Sequence, residues 1–204
     1  MTWVVPPMFA GKTVAVLASG PSMSQAVADR VRHLPRIAIN DTYRLAPDAD
    51  IVYASDSMWW RMNPEAVECH GIKASIEAVR GIHPNVPDCV RVLRNTGRDG
   101  FDVNGSIRTQ ANSGGVGIQI AVHAKAARVL LLGFDMHGGH WHPPHERPLG
   151  NPGPSMFARW IANLTRMAKQ LPPTVEVLNC TPGSALACFP MVSLDEALET
   201  REAA

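Results

Sequence analysis

Four histidines, His137, His140, His142 and His145, fall in the spacing His-x-x-His-x-His-x-x-His. Imidazole ligates zinc and similar ions, and its near-neutral pKa suits it to moving protons. Three uses stay open: a general base or acid, a metal site at His137, His140, His142 and His145, or a purely structural loop shaped by Trp141 and the prolines. Just upstream, Asn112-Ser113-Gly114-Gly115 opens an apolar stretch of helical character, and Arg128 to Gly133 reads as a strand running on to Asp135. A glycine-rich turn that opens a helix offers unpaired N–H groups and a positive dipole end to an anion. The polar groups past a strand's C-terminal end are where open α/β sheets bind ligands.

Three further polar clusters follow short apolar runs. Ser19-Gly20-Pro21-Ser22 comes after Lys12–Ala18, Asn40-Asp41 after Arg36–Ile39, and Ser55-Asp56 after Ile51–Ala54. One such cluster is a turn, but three at one edge of a parallel sheet outline a nucleotide-sized pocket. Asn and Ser supply the neutral donors and acceptors that base and ribose edges require. Gly11-Lys12-Thr13 is not a phosphate loop, because Pro6 stands where a glycine is needed and a strand follows. Asp48-Ala-Asp50 precedes its strand and reads as a solvated turn. Trp59-Trp60 reads as an apolar anchor under the sheet edge, with a stacking platform as the other use.

The elements that must position these groups follow from periodicity. Strands are expected at 12–18, 36–40, 51–55, 73–76, 89–93, 128–133 and 174–178. Helices are expected at 22–31 (with Ser22 or Ser24 as N-cap), 57–63, 115–126, 156–170 and 194–201. Segments 95–111 and 136–155 read as irregular loops or lids. Strands alternating with helices imply a mostly parallel sheet covered on both faces, in one α/β domain over 1–204.

Composition narrows the class. Of 204 residues, 46% are hydrophobic and 18% charged, which describes an ordinary globular domain. Nineteen basic against eighteen acidic side chains argue against a nucleic-acid partner held by a broad basic face. No apolar run reaches the roughly 20 residues of a membrane span. The start at Met1 has no secretion-signal pattern, and Cys69, Cys89, Cys180 and Cys188 make no CxxC pair. A cytoplasmic protein with free thiols is expected, and the sequence leaves its oligomeric state open.

Taken in order, Ser19-Gly20-Pro21-Ser22, Ile39-Asn40, Tyr53-Ala-Ser-Asp56, Asn112-Ser113-Gly114 and Leu132-Gly133-Phe134-Asp135 resemble the landmarks of bacterial Rossmann-like sialyltransferases. They are also similar to the family typified by archaeal-type 6-hydroxymethylpterin diphosphokinases, and Asn179–Leu186 is similar to the segment closing the nucleotide domain. The resemblance implies a Rossmann-like fold. It also implies nucleotide contacts from Gly20, Pro21, Ser22 and Asn40, with Ser19, Ser55, Asp56, Asn112, Ser113, Gly114 and Asp135 around the same ligand. His145, then His142, match the family's general base. The implied activity is a nucleotide-dependent transferase, foremost a glycosyltransferase taking a CMP-sugar-like donor to a small-molecule or glycan acceptor, with no firmly implied cofactor. The alternatives are diphosphate transfer from ATP with Mg²⁺ at Asp56 or Asp135, and a non-catalytic nucleotide-binding accessory protein.

Overall fold

The computed structural model describes residues 2–78 and 82–199. Seven parallel strands form the main sheet: β1 (Thr13–Leu17), β2 (Arg36–Ile39), β3 (Ile51–Tyr53), β4 (Ile72–Ile76), β5 (Arg91–Leu93), β8 (Arg128–Leu132) and β9 (Glu176–Asn179). Their order is β5-β4-β3-β2-β1-β8-β9. The chain winds outward from β1 to β5, then crosses back to lay β8 on the other side of β1. That reversal puts the topological switch point between β1 and β8, where doubly wound sheets open a crevice. An α/β, Rossmann-like domain is therefore what the molecule is.

Strands buried on both faces explain the near-continuous apolar runs. Val14, Val16, Ile37, Ile39, Val129 and Leu131 point to one face, under α3 (Ser113–His123) and α4 (Pro154–Ala168). Ala15, Leu17, Ala38, Leu130 and Leu132 point to the other, under α1 (Gln25–Arg30), α2 (Ser57–Met62) and α5 (Leu194–Glu199). Helix α3 is buried on every side from Gly114 to Val122. Each of its buried Ile and Val side chains contributes on the order of 1.5–3 kcal/mol. It lies so close to the sheet that a Cβ on Gly117 would stand 2.8 Å from Ile39 Cδ1 and 2.9 Å from Val16 Cγ1.

Several boundaries differ from expectation for local reasons. The first helix starts at Gln25, because Ser24 Oγ caps Val27 N while Ser22 turns to a distant partner. Helix α3 starts two residues early, at Ser113, because Asn112 Oδ1 accepts from Gly115 N at 2.9 Å. Pro154 at the first turn begins α4, following Gly153 as N-cap. The final two positions of the expected terminal helix lie outside the described residues. Segment 95–111 is not wholly irregular: β6 (Asn95–Gly97) and β7 (Ile107–Arg108) pair in parallel. Fully buried Gln119 of α3 pins β7 by accepting from Arg108 N and donating to Arg108 O. Trp59 and Trp60 are buried on the α2 side, in the anchoring role. The four cysteines are free. Among the described residues, no helix is long and apolar enough to cross a membrane.

Candidate functional site

A cleft of about 300 Å³ opens at the switch point. Ser19 and Gly20 after β1, Asn40 after β2, Asp56 after β3 and Phe134–His137 after β8 line it. Across from them stand Asn112–Gly114 at the start of α3, and His140 and His145 from the loop that follows. The apolar wall is Met156, Phe157 and Trp160 on the first turns of α4. That wall is not among the groups expected from the sequence. The amphipathic spacing of α4 marks Phe157 and Trp160 as apolar but cannot say that they overhang a strand edge.

The polar groups divide into those committed within the protein and those left for a ligand. The carboxylate of Asp135, 2% exposed, accepts from Ser22 N at 3.1 Å and Ser22 Oγ at 2.9 Å. Gly20 N donates to Gly133 O, and Ser19 Oγ donates to Ile39 O while meeting Thr42 Oγ1 at 3.0 Å. The Gly-Pro-Ser turn is thereby a wall clamped onto the end of β8, and Pro21 and Ser22 are not part of the lining. Only glycine fits at its centre, since a Cβ on Gly20 would lie 2.0 Å from Asp135 Oδ2. Ser55 also sits behind the cleft, its hydroxyl bridging Tyr53 OH at 2.8 Å and Ser113 Oγ at 3.1 Å. Asp56 Oδ1 caps α2 through Met58 N.

What remains open is the N-terminus of α3 and the side chain of Asn40. The first backbone N–H groups of an α-helix have no intrahelical acceptor, so the Ser113-Gly114 turn presents donors and a partial positive charge to the cleft. Helix α1 offers less, being six residues long. Among the described residues the Asn40 amide makes no hydrogen bond, and its backbone is left-handed at φ 49. Ala111 at φ 52 and Met136 at φ 59 line the same cleft in the same sparsely populated region. Left-handed non-glycine residues are costly, and they collect at ligand sites.

The histidine loop is fastened to the first half of the sheet. Trp141 N donates to Ser19 O and its indole Nε1 to Thr42 Oγ1. Asn151 closes the loop, accepting from His145 N at 2.8 Å and donating to His145 O at 3.0 Å. The rings of His140, His142 and His145 gather with centroids 4.7–5.1 Å apart. His137 does not join them: its Nε2 donates to Gly183 O at 3.1 Å. Asp41, expected at the pocket edge with Asn40 but given no role there, lies beside the cluster. Its Oδ2 is 3.7 Å from His145 Nε2 and 3.9 Å from His142 Nε2, and accepts from Trp59 Nε1 at 2.8 Å. The signal for it was a carboxylate at a strand end, one residue past the matched asparagine. Burial pushes the pKa of all three clustered histidines below the usual histidine value, outweighing the pull of Asp41 on each. Burial thus favours the neutral form of each, which keeps a ring-nitrogen lone pair for a proton or a metal.

No family model matches the chain, and no curated protein matches it in sequence. Its fold is similar to a solved structure, that of the MAf glycosyltransferase from Magnetospirillum magneticum AMB-1, with a TM-score of 0.66 at 14% identity. The match covers 94% of this chain and 35% of that one, so the chain spans about a third of the length of the protein it resembles. Likeness at this identity is likeness of fold; function is carried by the site built on it.

Proposed function

We propose that this chain is a nucleotide-dependent glycosyltransferase, taking a sugar from a CMP-type donor to an acceptor hydroxyl on a small molecule or glycan. The observation that carries the reading is a convergence on one cleft. The start of α3, the uncommitted amide of Asn40 and the neutral histidine loop all face the crevice where strand order reverses. A fold shared with a solved glycosyltransferase supports it.

Asn40 binds the nucleotide's base or ribose, and the Ser113-Gly114 turn faces its phosphate. The acceptor oxygen attacks the anomeric carbon, and the bond from that carbon to the phosphate oxygen breaks. The nucleotide leaves with the bonding electron pair, its new charge stabilised by the α3 N-terminus. The proton from the acceptor hydroxyl passes to His145, which lines the cleft and whose neutral form burial favours. Asp41, 3.7 Å away, offsets the imidazolium charge that results. Diphosphate transfer with Mg²⁺ at Asp56 or Asp135 is the weaker reading, since both oxygens of Asp135 already accept from Ser22 and Asp56 Oδ1 caps α2.

A thermal-shift panel of CMP, CDP, UMP, ATP and pterin, with and without Mg²⁺, tests this. CMP at 100 times its dissociation constant is expected to add about 2.7 kcal/mol without metal. Stabilisation by ATP and pterin that requires Mg²⁺ would move the assignment to diphosphate transfer, and no shift with any nucleotide would sink both. Replacing His145 with Ala is expected to abolish transfer and leave CMP binding intact. A loss of CMP binding in that variant would remove the base role. CMP binding with no transfer to any acceptor would leave a nucleotide-binding accessory protein.

A further inference from the structure

The three clustered histidines carry more than a base requires. His140 and His142 stack almost parallel, 4.7 Å between centroids and 9° between planes, and His145 leans over both. One ligand atom from each of the three lies within 4.8 Å of the others. The backbone sets the tautomers of two of them. His140 Nδ1 meets Ser19 O at 3.2 Å, and His142 Nδ1 meets Pro143 O at 2.7 Å. A carbonyl oxygen only accepts, so both Nδ1 atoms carry the proton and both Nε2 atoms keep a lone pair. Those two Nε2 atoms are buried and have no hydrogen-bond partner. Leaving a buried acceptor unmade is unfavourable, and here two stand in one cluster beside a third imidazole and a carboxylate.

An imidazole whose Nδ1–H is held by a backbone carbonyl and whose Nε2 keeps its lone pair is the arrangement of a metal-ligating histidine with its supporting partner, and to share an ion the stacked rings of His140 and His142 turn toward each other. We propose that His140, His142 and His145, with Asp41 at the edge, bind one divalent transition-metal ion of the zinc type. Neutral imidazoles with a single carboxylate suit Zn²⁺, Co²⁺ or Ni²⁺; Mg²⁺ and Ca²⁺ prefer oxygen. Zinc–nitrogen bonds of 2.0–2.1 Å in a tetrahedral site put the nitrogens about 3.4 Å apart. The rings therefore close by roughly an ångström on binding, within a loop that has no helix or strand between Met136 and Gly153. His140 and His145 also line the cleft, so the ion would sit at its wall. With the ion bound, His145 gives its lone pair to the metal and cannot act as a base. The ion-loaded and proton-accepting states are alternatives.

The test needs no nucleotide, so its failure is separable from failure of the transferase reading. Tag-free chain, stripped with chelator, is titrated with Co²⁺ and then Zn²⁺. One Co²⁺ per chain is expected, with the visible absorption of a tetrahedral nitrogen–oxygen site that one equivalent of Zn²⁺ displaces. His140→Ala and His142→Ala are each expected to weaken Zn²⁺ binding at least about 100-fold, and Asp41→Asn roughly 10-fold. His137→Ala is the control and keeps wild-type affinity. Circular dichroism establishes that each variant is folded, and Asp41→Asn, which keeps an acceptor for Trp59, remains informative if a histidine variant does not fold. Absence of stoichiometric binding overturns the proposal. So does binding that survives loss of both His140 and His142, or that falls equally when His137 is replaced.

Discussion

Asp135 and Ser22 lie 113 positions apart, and the carboxylate of one holds both the backbone N–H and the hydroxyl of the other, at 3.1 and 2.9 Å. This clamp ties the turn after β1 to the end of β8 and closes the back of the cleft. The pair braces the wall of the cleft, so its removal should be felt first in stability.

Asp135→Ala leaves Ser22 N–H unpaired in a site that is 2% exposed on the aspartate side. Hydrogen bonds to a charged group are worth about 1.5–3 kcal/mol, which at this chain length means about 2–4 °C of melting temperature per kcal/mol. Ser22→Ala removes one of the two bonds and should cost about half as much. Thermal denaturation of the two single variants and the double variant checks the pairing. Additive losses would mean that the two residues do not act as a unit.

Gly20→Ala drives a methyl group to 2.0 Å from Asp135 Oδ2 and 2.4 Å from Gly133 O. Backbone at Gly133 cannot yield as a side chain does, so a loss of about 1–3 kcal/mol is expected, together with weakened CMP binding as the wall shifts. Gly150→Ala, where a Cβ meets nothing within 4 Å, should leave the melting temperature unchanged. Equal behaviour of the two variants would refute the argument from close approach.

Asn40 offers a separation of binding from folding. Asn40→Gly accommodates the left-handed φ of 49, so stability should stay within about 1 kcal/mol of the parent. The loss of the free amide should weaken CMP about tenfold, the equivalent of about 1.4 kcal/mol. Asn40→Ala should add a destabilisation of about 1 kcal/mol, because alanine resists that conformation. Unchanged affinity in both variants, measured by calorimetric titration, would take Asn40 out of the ligand site.

Stability should be sensitive to acid in a defined direction. His140, His142 and His145, and His123 beneath Phe101, are pushed below the ordinary histidine value of 6.5, chiefly by burial. Below 6.5 the unfolded chain takes up protons that the folded chain resists, so unfolding becomes easier as pH falls toward the folded values. Well above 6.5, where both states have lost these protons, the groups contribute no slope. Denaturant titrations across that range should show the decline, and His140→Gln with His142→Gln should flatten it. A decline unaltered in the double variant would assign the effect to His145 and His123.

Much of the architecture is written locally. Apolar runs such as Val14–Leu17 and Val129–Leu132, broken by glycine and serine turns, identify buried parallel strands because burial on both faces leaves no alternation to read. Polar residues at the ends of β1, β2 and β3 mark the edge that holds the cleft for the same reason: side-chain type and chain position are properties of the sequence. What the tertiary structure alone decided is which of those polar groups is free. Ser22 and Asp135 satisfy each other, Asn112 caps its own helix, Ser55 leans on Ser113, and Asn40 is left over. His137 falls away to Gly183 while Asp41, from a different strand end, joins the remaining three histidines. Apart from the local Asn112 cap, these contacts join partners 46 to 113 positions apart that meet across the strand order β3-β2-β1-β8-β9. A sequence states what a side chain can bond to; only the fold supplies the partner and removes the water that would otherwise take its place.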